Sequence, residues 1–222
     1  MTANLEAYAE LKAQLPAGTT LVAVSKFQPN EAIESLYAAG HRDFGENRVQ
    51  ELAAKAAVLP KDIRWHMIGR IQTNKIREFA LFVHLVHSVD RVDVLTVLQK
   101  EALRAGRTID ILLQAHIAQE ETKAGFSPAE VLGLCAVNVL NEYPNLRVVG
   151  LMGMASLTED RNQIRSEFAR LASLYRAAQE QLGVGQITVL SMGMSGDYDL
   201  ALAEGGNHIR VGSLLFGARS NQ

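Results

Sequence analysis

Short apolar runs alternate with longer amphipathic runs along nearly the whole chain. The apolar runs predict eight β-strands, at residues 20–25, 41–44, 63–68, 84–89, 109–116, 146–152, 187–191 and 208–211. The amphipathic runs predict helices between them, for example at residues 31–39, 48–58, 91–105, 128–140 and 161–182. Several strands are β-branched and apolar at successive positions, which is typical of parallel strands that are buried on both faces.

The order of these elements predicts the fold. Strands that alternate with helices form βαβ units around a parallel sheet, and a further amphipathic helix precedes the first strand. We therefore predict an α/β protein, a single (β/α)8 TIM-type barrel with an extra N-terminal helix, as one domain over residues 1–222. An open doubly wound sheet is the alternative. In a barrel the functional residues lie at the C-terminal ends of the strands, and the loops after strands seven and eight often hold phosphate.

Composition narrows the kinds of partner. The 22 Lys and Arg nearly balance the 24 Asp and Glu, so no strong electric field favours nucleic acid or an anionic membrane. The N-terminal residues do not resemble a signal peptide, and no apolar run reaches the roughly 18 residues of a membrane span. We therefore expect a cytoplasmic protein that binds a small molecule, and we separately expect it to be a monomer. Cys135 is the single cysteine and the six histidines lack metal-binding spacing, so we expect neither a disulfide nor a metal.

Lys26 directly follows the first predicted strand, Thr20-Leu-Val-Ala-Val-Ser. A lysine at such a place is most often a solvated side chain. Here an apolar run precedes it and Phe27 follows, so we expect partial desolvation, which lowers the pKa of an amine and leaves more of it free to attack an aldehyde. Lys26 is therefore a candidate Schiff-base lysine, although its position alone does not establish that role.

A glycine-rich segment, Ser191-Met-Gly-Met-Ser-Gly-Asp197, follows the seventh predicted strand. Its two glycines allow backbone N–H groups to approach a ligand, and Ser195 adds a hydroxyl, which together favour an anion site. Asp197 is equally compatible with an ordinary helix N-cap. A glycine-rich turn alone is weak evidence for phosphate binding.

The end of the eighth strand strengthens that hypothesis. In Arg210-Val-Gly-Ser213, Gly212 and Ser213 offer main-chain donors, and Arg210 is a fixed cation with a planar fork of N–H groups. Strand one neighbours strand eight when a barrel closes, so Lys26 would lie beside this phosphate site. An amine next to a phosphate site fits a phosphorylated aldehyde as the ligand.

One further polar residue follows the second predicted strand, and another lies on the third. Asn47 either caps the helix that follows it or faces the mouth of the barrel. His66, in Trp65-His-Met-Ile-Gly69, is more typical of a hydrogen-bonded core histidine than of a ligand. Neither residue by itself indicates a particular chemistry.

At this point the motifs resemble a known family, the pyridoxal phosphate homeostasis proteins, which are similar to the N-terminal barrel of alanine racemase. The resemblance covers nearly the whole chain, and the order and spacing of its motifs are highly specific. The motifs are Ala23-Val-Ser-Lys26, Phe44-Gly-Glu-Asn-Arg-Val-Gln-Glu51, Trp65-His-Met-Ile-Gly-Arg-Ile-Gln-Thr-Asn-Lys75, Ser191-Met-Gly-Met-Ser195 and Arg210-Val-Gly-Ser-Leu-Leu-Phe-Gly-Ala-Arg219. The chain departs from the family pattern at His116 and at Phe79.

The resemblance implies pyridoxal 5′-phosphate as the cofactor. It implies that Lys26 forms the Schiff base, that Arg210 faces the pyridine nitrogen and that Asn47 lies beside the cofactor. It implies that the phosphate is held by Ser195, Gly212 and Ser213. It also implies that Lys123 supplies a cation near the cofactor phenol. No catalytic residue and no metal ligand is implied.

Two functions of different classes fit these residues. The first is a non-catalytic carrier that takes part in intracellular vitamin B6 homeostasis, with enzymes that use this cofactor as candidate partners. The second is an amino-acid racemase or lyase. An arginine at the ring nitrogen weakens the electron sink that carbanion chemistry needs, although alanine racemase works with one. We expect that this chain lacks the second domain with which the racemase supplies a tyrosine base, and we favour the carrier. A Schiff-base aldolase would not explain Arg210.

Overall fold

A computed structural model describes residues 2–120 and 124–217, without the side chains of residues 137 and 138. In this part of the chain, eight strands lie parallel to their neighbours and close into a barrel in sequence order. They are β1 Thr20–Val24, β2 Asp43–Glu46, β3 Arg64–Met67, β4 Leu85–Val89, β5 Ile109–Gln114, β6 Leu146–Met152, β7 Val189–Met194 and β8 His208–Val211. The predicted (β/α)8 barrel is confirmed, and its closure rules out the open sheet.

Helices cover the outside of the barrel, and one of them precedes the first strand as predicted. They are α1 Leu5–Gln14, α2 Asn30–Ala38, α3 Val49–Val58, α4 Val92–Arg104, α5 Pro128–Cys135, α6 Val137–Leu140, α7 Arg161–Leu182, α8 Tyr198–Ala203 and α9 Ser213–Phe216, with a 3-10 helix at Thr73–Glu78. Side-chain caps begin the longer ones where the sequence offers them: Asp160, for instance, accepts from two N–H groups of α7. None of the helices in the described residues has the length and apolar character of a membrane span.

The core has an outer and an inner part. Ile111 and Leu113 of β5 belong to the large apolar cluster that the helices cover, whereas Leu112 between them packs in a smaller cluster with Leu85, Val149 and Met152. Because alternate strand residues face opposite sides, the smaller cluster fills the inside of the barrel. The interior also holds several buried polar side chains, which are described below.

Closure brings the first and last strands together. Residues Thr20 to Ala23 of β1 pair in register with His208 to Val211 of β8. The segments that follow these strands, Ser25-Lys26 and Gly212-Ser213, therefore leave the barrel side by side. This is the neighbourhood that the sequence predicted from barrel closure.

Several predicted boundaries were wrong; the fifth strand, for example, ends at Gln114, two residues earlier than predicted. The second strand lies two residues later than predicted because it includes Glu46, a fully buried carboxylate that an apolar pattern does not reveal. The seventh continues through Gly193, whose positive φ of 86° the pattern does not predict. The helix predicted over residues 128–140 is two helices, because Ala136 is extended with φ −62° and ψ 132°.

Candidate functional site

A cavity of about 340 Å³ opens at the C-terminal end of the barrel. Its size fits a small ligand, and its place is where ligands bind in this fold. The structure brings all six sequence-predicted site residues to its wall. The lining consists of Val24, Lys26, Gln28, Asn47, Ile68, Met154, Met194, Ser195, Gly196, Arg210, Gly212, Ser213 and Gly217.

Lys26 is half-buried directly after β1, and both residues beside it are anchored. The hydroxyl of Ser25 donates to Oε1 of Glu46 at 2.6 Å, and the backbone N–H of Phe27 donates to Oε1 of Glu51 at 2.6 Å. Phe27 has a φ of 63°, in the left-handed region that costs a non-glycine residue conformational energy. The two side-chain hydrogen bonds therefore hold the loop in a conformation that presents Lys26 to the cavity.

A buried lysine links these anchors. Lys55 Nζ donates to the backbone carbonyl of Ser25 at 2.7 Å, to Oε1 of Glu46 at 2.8 Å and to Oε1 of Glu51 at 2.6 Å. Burial raises the pKa of Glu46, while the charge and hydrogen bond of Lys55 oppose that rise. We call these four residues the Lys55 cluster. Sequence reasoning missed it, although the spacing of Glu51 and Lys55, four apart on one helix, was a signal for an ion pair.

On the opposite side of the cavity, the ends of β7 and β8 meet. The backbone N–H of Gly212 donates to the hydroxyl of Ser195 at 3.3 Å. A Cβ atom at Gly212 would lie 3.1 Å from the carbonyl oxygen of Val24, so the close approach of the two backbones favours glycine there. Ser195 and Gly212 thus bring a hydroxyl and a main-chain donor to one point, as the phosphate hypothesis requires.

Asp197 stabilises the turn after β7. Its Oδ1 accepts from the backbone N–H of Met194 at 2.6 Å, and it makes no side-chain hydrogen bond to the N-terminus of α8. Burial raises the pKa of this carboxyl. Asp197 is therefore the N-cap residue of α8 by position, as the sequence allowed, but its carboxylate shapes the loop that carries Ser195 instead of capping the helix.

Arg210 is almost completely buried, with 4% of its surface exposed. Its Nη1 donates to the hydroxyl of Ser191 at 2.6 Å, and its Nη2 donates to the carbonyl of Gly153 at 3.1 Å. Burial lowers the pKa of the guanidinium to about 10, against the opposing charge of Asp197. Arg210 therefore remains a cation near neutral pH and can only donate hydrogen bonds.

Asn47 faces the mouth of the barrel. The helix α3 begins at Val49 with Arg48 as its N-cap residue, so Asn47 does not cap it. Its Oδ1 atom is buried and has no hydrogen-bond partner among the described residues. A Cβ atom at Gly69 would lie 2.2 Å from the backbone oxygen of Asn47, so a glycine is needed beside it. Of the two alternatives for Asn47, the structure supports the second.

The remaining predictions have different outcomes. His66 is a buried, hydrogen-bonded histidine as expected, bonded to Asp43 and His87 at 3.1 and 2.9 Å. Asp43, His66 and His84 have potential ligand atoms within 4.8 Å of one another, but Arg64 already occupies both carboxylate oxygens of Asp43. That the protein binds no metal stays a prediction. Lys123 lies outside the described residues.

Sequence reasoning also missed the apolar walls of the cavity. Val24, Ile68 and Met154 follow or end the strands β1, β3 and β6, and all three are partly exposed to the cavity. The signal was available, because any residue at the C-terminal end of a barrel strand is a candidate for the lining. Apolar walls beside donors for an anion suit a ligand with a flat ring and a charged group.

The chain is similar to known proteins along nearly its whole length. The chain matches the family model described as alanine racemase, N-terminal domain, over residues 2–220. A pyridoxal phosphate homeostasis protein of Aquifex aeolicus is 38% identical over 200 residues, which cover 90% of this chain and 86% of that protein. A protein of the same name from Pseudomonas aeruginosa is 37% identical over 220 residues, covering 99% and 93%. The structure of PipY from Synechococcus elongatus, with PLP bound, has a TM-score of 0.86 and 39% identity, covering 96% of this chain and 99% of that one.

Proposed function

This chain belongs to the pyridoxal phosphate homeostasis proteins, and we propose that it binds pyridoxal 5′-phosphate (PLP) in the cavity at the C-terminal end of its barrel. It holds PLP as a Schiff base on Lys26 and takes part in intracellular vitamin B6 homeostasis as a carrier. The observation that carries this function is the convergence, in one cavity, of the amine of Lys26, the donors of Ser195 and Gly212, and the guanidinium of Arg210.

The residues fit each part of the cofactor. Lys26 suits the aldehyde, and Ser195, Gly212 and Ser213 suit the phosphate. Arg210 suits the ring nitrogen, and Asn47 has a buried oxygen without a hydrogen-bond partner, which suits a ligand donor beside it. When bound, PLP supplies an electrophilic aldehyde that condenses with primary amines.

In this proposal, each of these cavity residues contacts a different part of the cofactor. Lys26 would hold the aldehyde carbon as a Schiff base. Ser195 and Gly212 would hold the phosphate, because charge-assisted hydrogen bonds are stronger than neutral ones. Arg210 would donate to the ring nitrogen and, because its charge is fixed, would disfavour protonation of that nitrogen. This weakens the electron sink that amino-acid chemistry would use.

We further propose that the protein has no catalytic activity of its own. Among the described residues that line the cavity, Lys26 and Arg210 are the two with an ionisable side chain. A racemase needs a second acid or base on the opposite face of the cofactor ring, and the described lining offers none. We also propose that the protein is a cytoplasmic monomer and that it exchanges PLP with enzymes that use this cofactor.

Titration with PLP tests binding. The wild type should develop a visible absorbance band with one equivalent of PLP, and Lys26→Met should lose the band while keeping measurable affinity through the phosphate donors. Lys100→Met, which removes an exposed lysine of α4, is the control for unspecific reaction of PLP with surface amines. A normal band in Lys26→Met, or loss of the band in Lys100→Met, would refute the assignment.

Solvent deuterium exchange tests the absence of catalysis. The PLP-loaded protein is incubated in D₂O with a panel of amino acids, and deuterium at Cα is measured by mass spectrometry. We expect incorporation no faster than with free PLP. Exchange that depends on Lys26 and proceeds at enzyme-like turnover for one amino acid would favour the racemase or lyase instead.

A further inference from the structure

A continuous chain of hydrogen bonds runs through the barrel interior from Arg210 to the opposite mouth. Arg210 Nη1 lies 2.6 Å from Ser191 Oγ, which lies 2.9 Å from His87 Nδ1. His87 Nε2 lies 2.9 Å from His66 Nδ1, and His66 Nε2 lies 3.1 Å from Asp43 Oδ1. We call these five residues the interior relay. All of them are at least nine-tenths buried.

The two ends of the relay, together with neutral histidine rings, determine the direction of every hydrogen bond in it. Arg210 can only donate, so Ser191 Oγ accepts from it. Asp43 is an ionised carboxylate that can only accept, so His66 Nε2 carries a proton. If both histidines are neutral, His66 Nδ1 accepts from His87 Nε2, and His87 Nδ1 accepts from the hydroxyl of Ser191. Each group then donates once toward Asp43, and no group in the relay is left unsatisfied.

The surroundings favour this neutral arrangement. Burial, together with the charge of Arg210, lowers the pKa of His87 well below its usual value. Burial raises the pKa of Asp43, but hydrogen bonds from Arg64 and His66 outweigh it and hold that pKa well below the usual range. If Nδ1 of His87 carried a proton, it would donate to Ser191 Oγ, and the proton of the serine hydroxyl would need another acceptor. The relay thus has one arrangement in which each of its hydrogen bonds has a donor and an acceptor.

We propose that His87 and Ser191 are positioning residues for Arg210, which orient its guanidinium so that the remaining N–H groups point into the cavity. Because Nδ1 of His87 accepts the proton of the Ser191 hydroxyl, the lone pairs of the serine oxygen stay directed at Arg210. The ligand end of this role rests on the proposed function, in which Arg210 would contact the ring nitrogen of PLP. The relay itself is a property of the chain and is testable without PLP.

The first test measures the histidine tautomers in the cofactor-free protein. Long-range ¹H–¹⁵N spectra at neutral pH should show His66 and His87 as neutral rings that are protonated at Nε2 and unprotonated at Nδ1. The signals that disappear in the spectrum of His87→Leu are those of His87. A protonated Nδ1 on either ring would overturn the proposed direction of the relay. This test does not depend on PLP binding, so it stands even if the proposed function fails.

The second test uses three variants at one position. The amide of an asparagine occupies the place of Nδ1 and that of a glutamine the place of Nε2, so His87→Asn keeps the acceptor for Ser191, whereas His87→Gln and His87→Leu lose it. We expect His87→Asn to bind PLP within about 3-fold of the wild type, and the other two to bind roughly 10-fold more weakly. The pH midpoint of the visible band should also shift in those two variants but not in His87→Asn.

Controls separate positioning from a merely structural role. Ser88→Ala removes a buried hydrogen bond from the neighbouring position of β4, where Ser88 donates to the carbonyl of Gly69, and it should not shift the midpoint. Ser191→Ala should reproduce His87→Leu. Wild-type behaviour of His87→Leu, or equal losses in His87→Asn and His87→Leu, would overturn the proposal. If the leucine variant does not fold, the comparison of His87→Asn with His87→Gln tests the proposal, and equal losses of affinity in these two variants would overturn it. Failure of the wild type to bind PLP would refute the proposed function and leave the tautomer result standing.

Discussion

Replacement of Lys55 by methionine tests how the Lys26 loop is held. Lys55 and Glu46 have side-chain exposures of 7% and 0%, and the amine makes three hydrogen bonds, to Ser25, Glu46 and Glu51. Methionine retains most of the volume but removes the charge. Among the described residues, the Glu46 carboxylate then keeps a single hydrogen bond, from the Ser25 hydroxyl, because its second oxygen has no partner there.

The magnitude follows from the burial of the carboxylate. Removing one partner of a buried ion pair leaves an uncompensated charge, which costs about 3–5 kcal/mol. We therefore expect the free energy of unfolding of Lys55→Met at pH 8 to fall by about 3–5 kcal/mol, measured by urea denaturation. The exposed control Lys100→Met should change it by less than about 0.5 kcal/mol.

The pH dependence makes the prediction sharper. Burial already raises the pKa of Glu46, and loss of Lys55 raises it further. A carboxyl whose pKa is higher in the folded than in the unfolded protein loses stability as pH rises through the folded value. The penalty in Lys55→Met should therefore be smaller at pH 5 than at pH 8, because protonation neutralises Glu46 at the lower pH.

A second substitution completes the cycle. Glu46→Gln in the Lys55→Met background removes the unpaired charge, so most of the lost stability should return and the pH dependence of the penalty should vanish. A penalty below about 1 kcal/mol in Lys55→Met, or one that is the same at both pH values, would contradict the view that this buried pair supports the Lys26 loop.

Three further predictions follow from the site and the core. Ser195→Ala should weaken PLP binding by about 10- to 100-fold in a spectroscopic titration, because it removes a hydrogen bond to an anion; unchanged affinity would place the phosphate elsewhere. Gly212→Val should abolish tight binding with the barrel still folded, since its Cβ would lie 3.1 Å from the Val24 carbonyl and would displace the Gly212 N–H from the cavity wall; tight binding by this variant would contradict a close backbone approach. Burial lowers the pKa of His41 to about 4, so the unfolded chain binds more protons between about pH 6.5 and pH 4, and this histidine should account for about 3 kcal/mol of stability lost on acidification. Urea denaturation at both pH values, with His41→Gln as the comparison, checks this, and equal losses in the two proteins would refute it.

The fold was predictable from the sequence because a parallel barrel repeats one pattern. Strands that are buried on both faces, such as Leu146–Met152, stand out as apolar runs. The boundary of Asp43–Glu46 was not predictable, because Glu46 is buried only by virtue of Lys55, which lies nine residues away on another element. A charged residue that is neutralised by a distant partner leaves no local signal in a hydrophobic pattern.

The site was predictable in part for a related reason. The six predicted residues, Lys26 and Arg210 among them, lie at strand ends, and barrel topology brings strand ends to one mouth. The supporting residues were not predictable in the same way. His87 and Ser191 lie within strands on inward-facing positions, 104 residues apart in the chain, and their contact depends on the register of the closed barrel. Only the three-dimensional arrangement shows that a buried histidine is linked through Ser191 to an arginine of the cavity lining.

The most direct test of the central claim identifies the residue that carries the cofactor. The wild-type protein is loaded with PLP, reduced with borohydride, digested, and analysed by mass spectrometry for peptides that carry a pyridoxyl phosphate group. Stoichiometric modification of Lys26 is the predicted result, with the peptides of exposed lysines such as Lys12 and Lys100 modified at the background level seen with an unrelated protein. Modification spread evenly over surface lysines, or concentrated on a residue outside the cavity, would contradict the account.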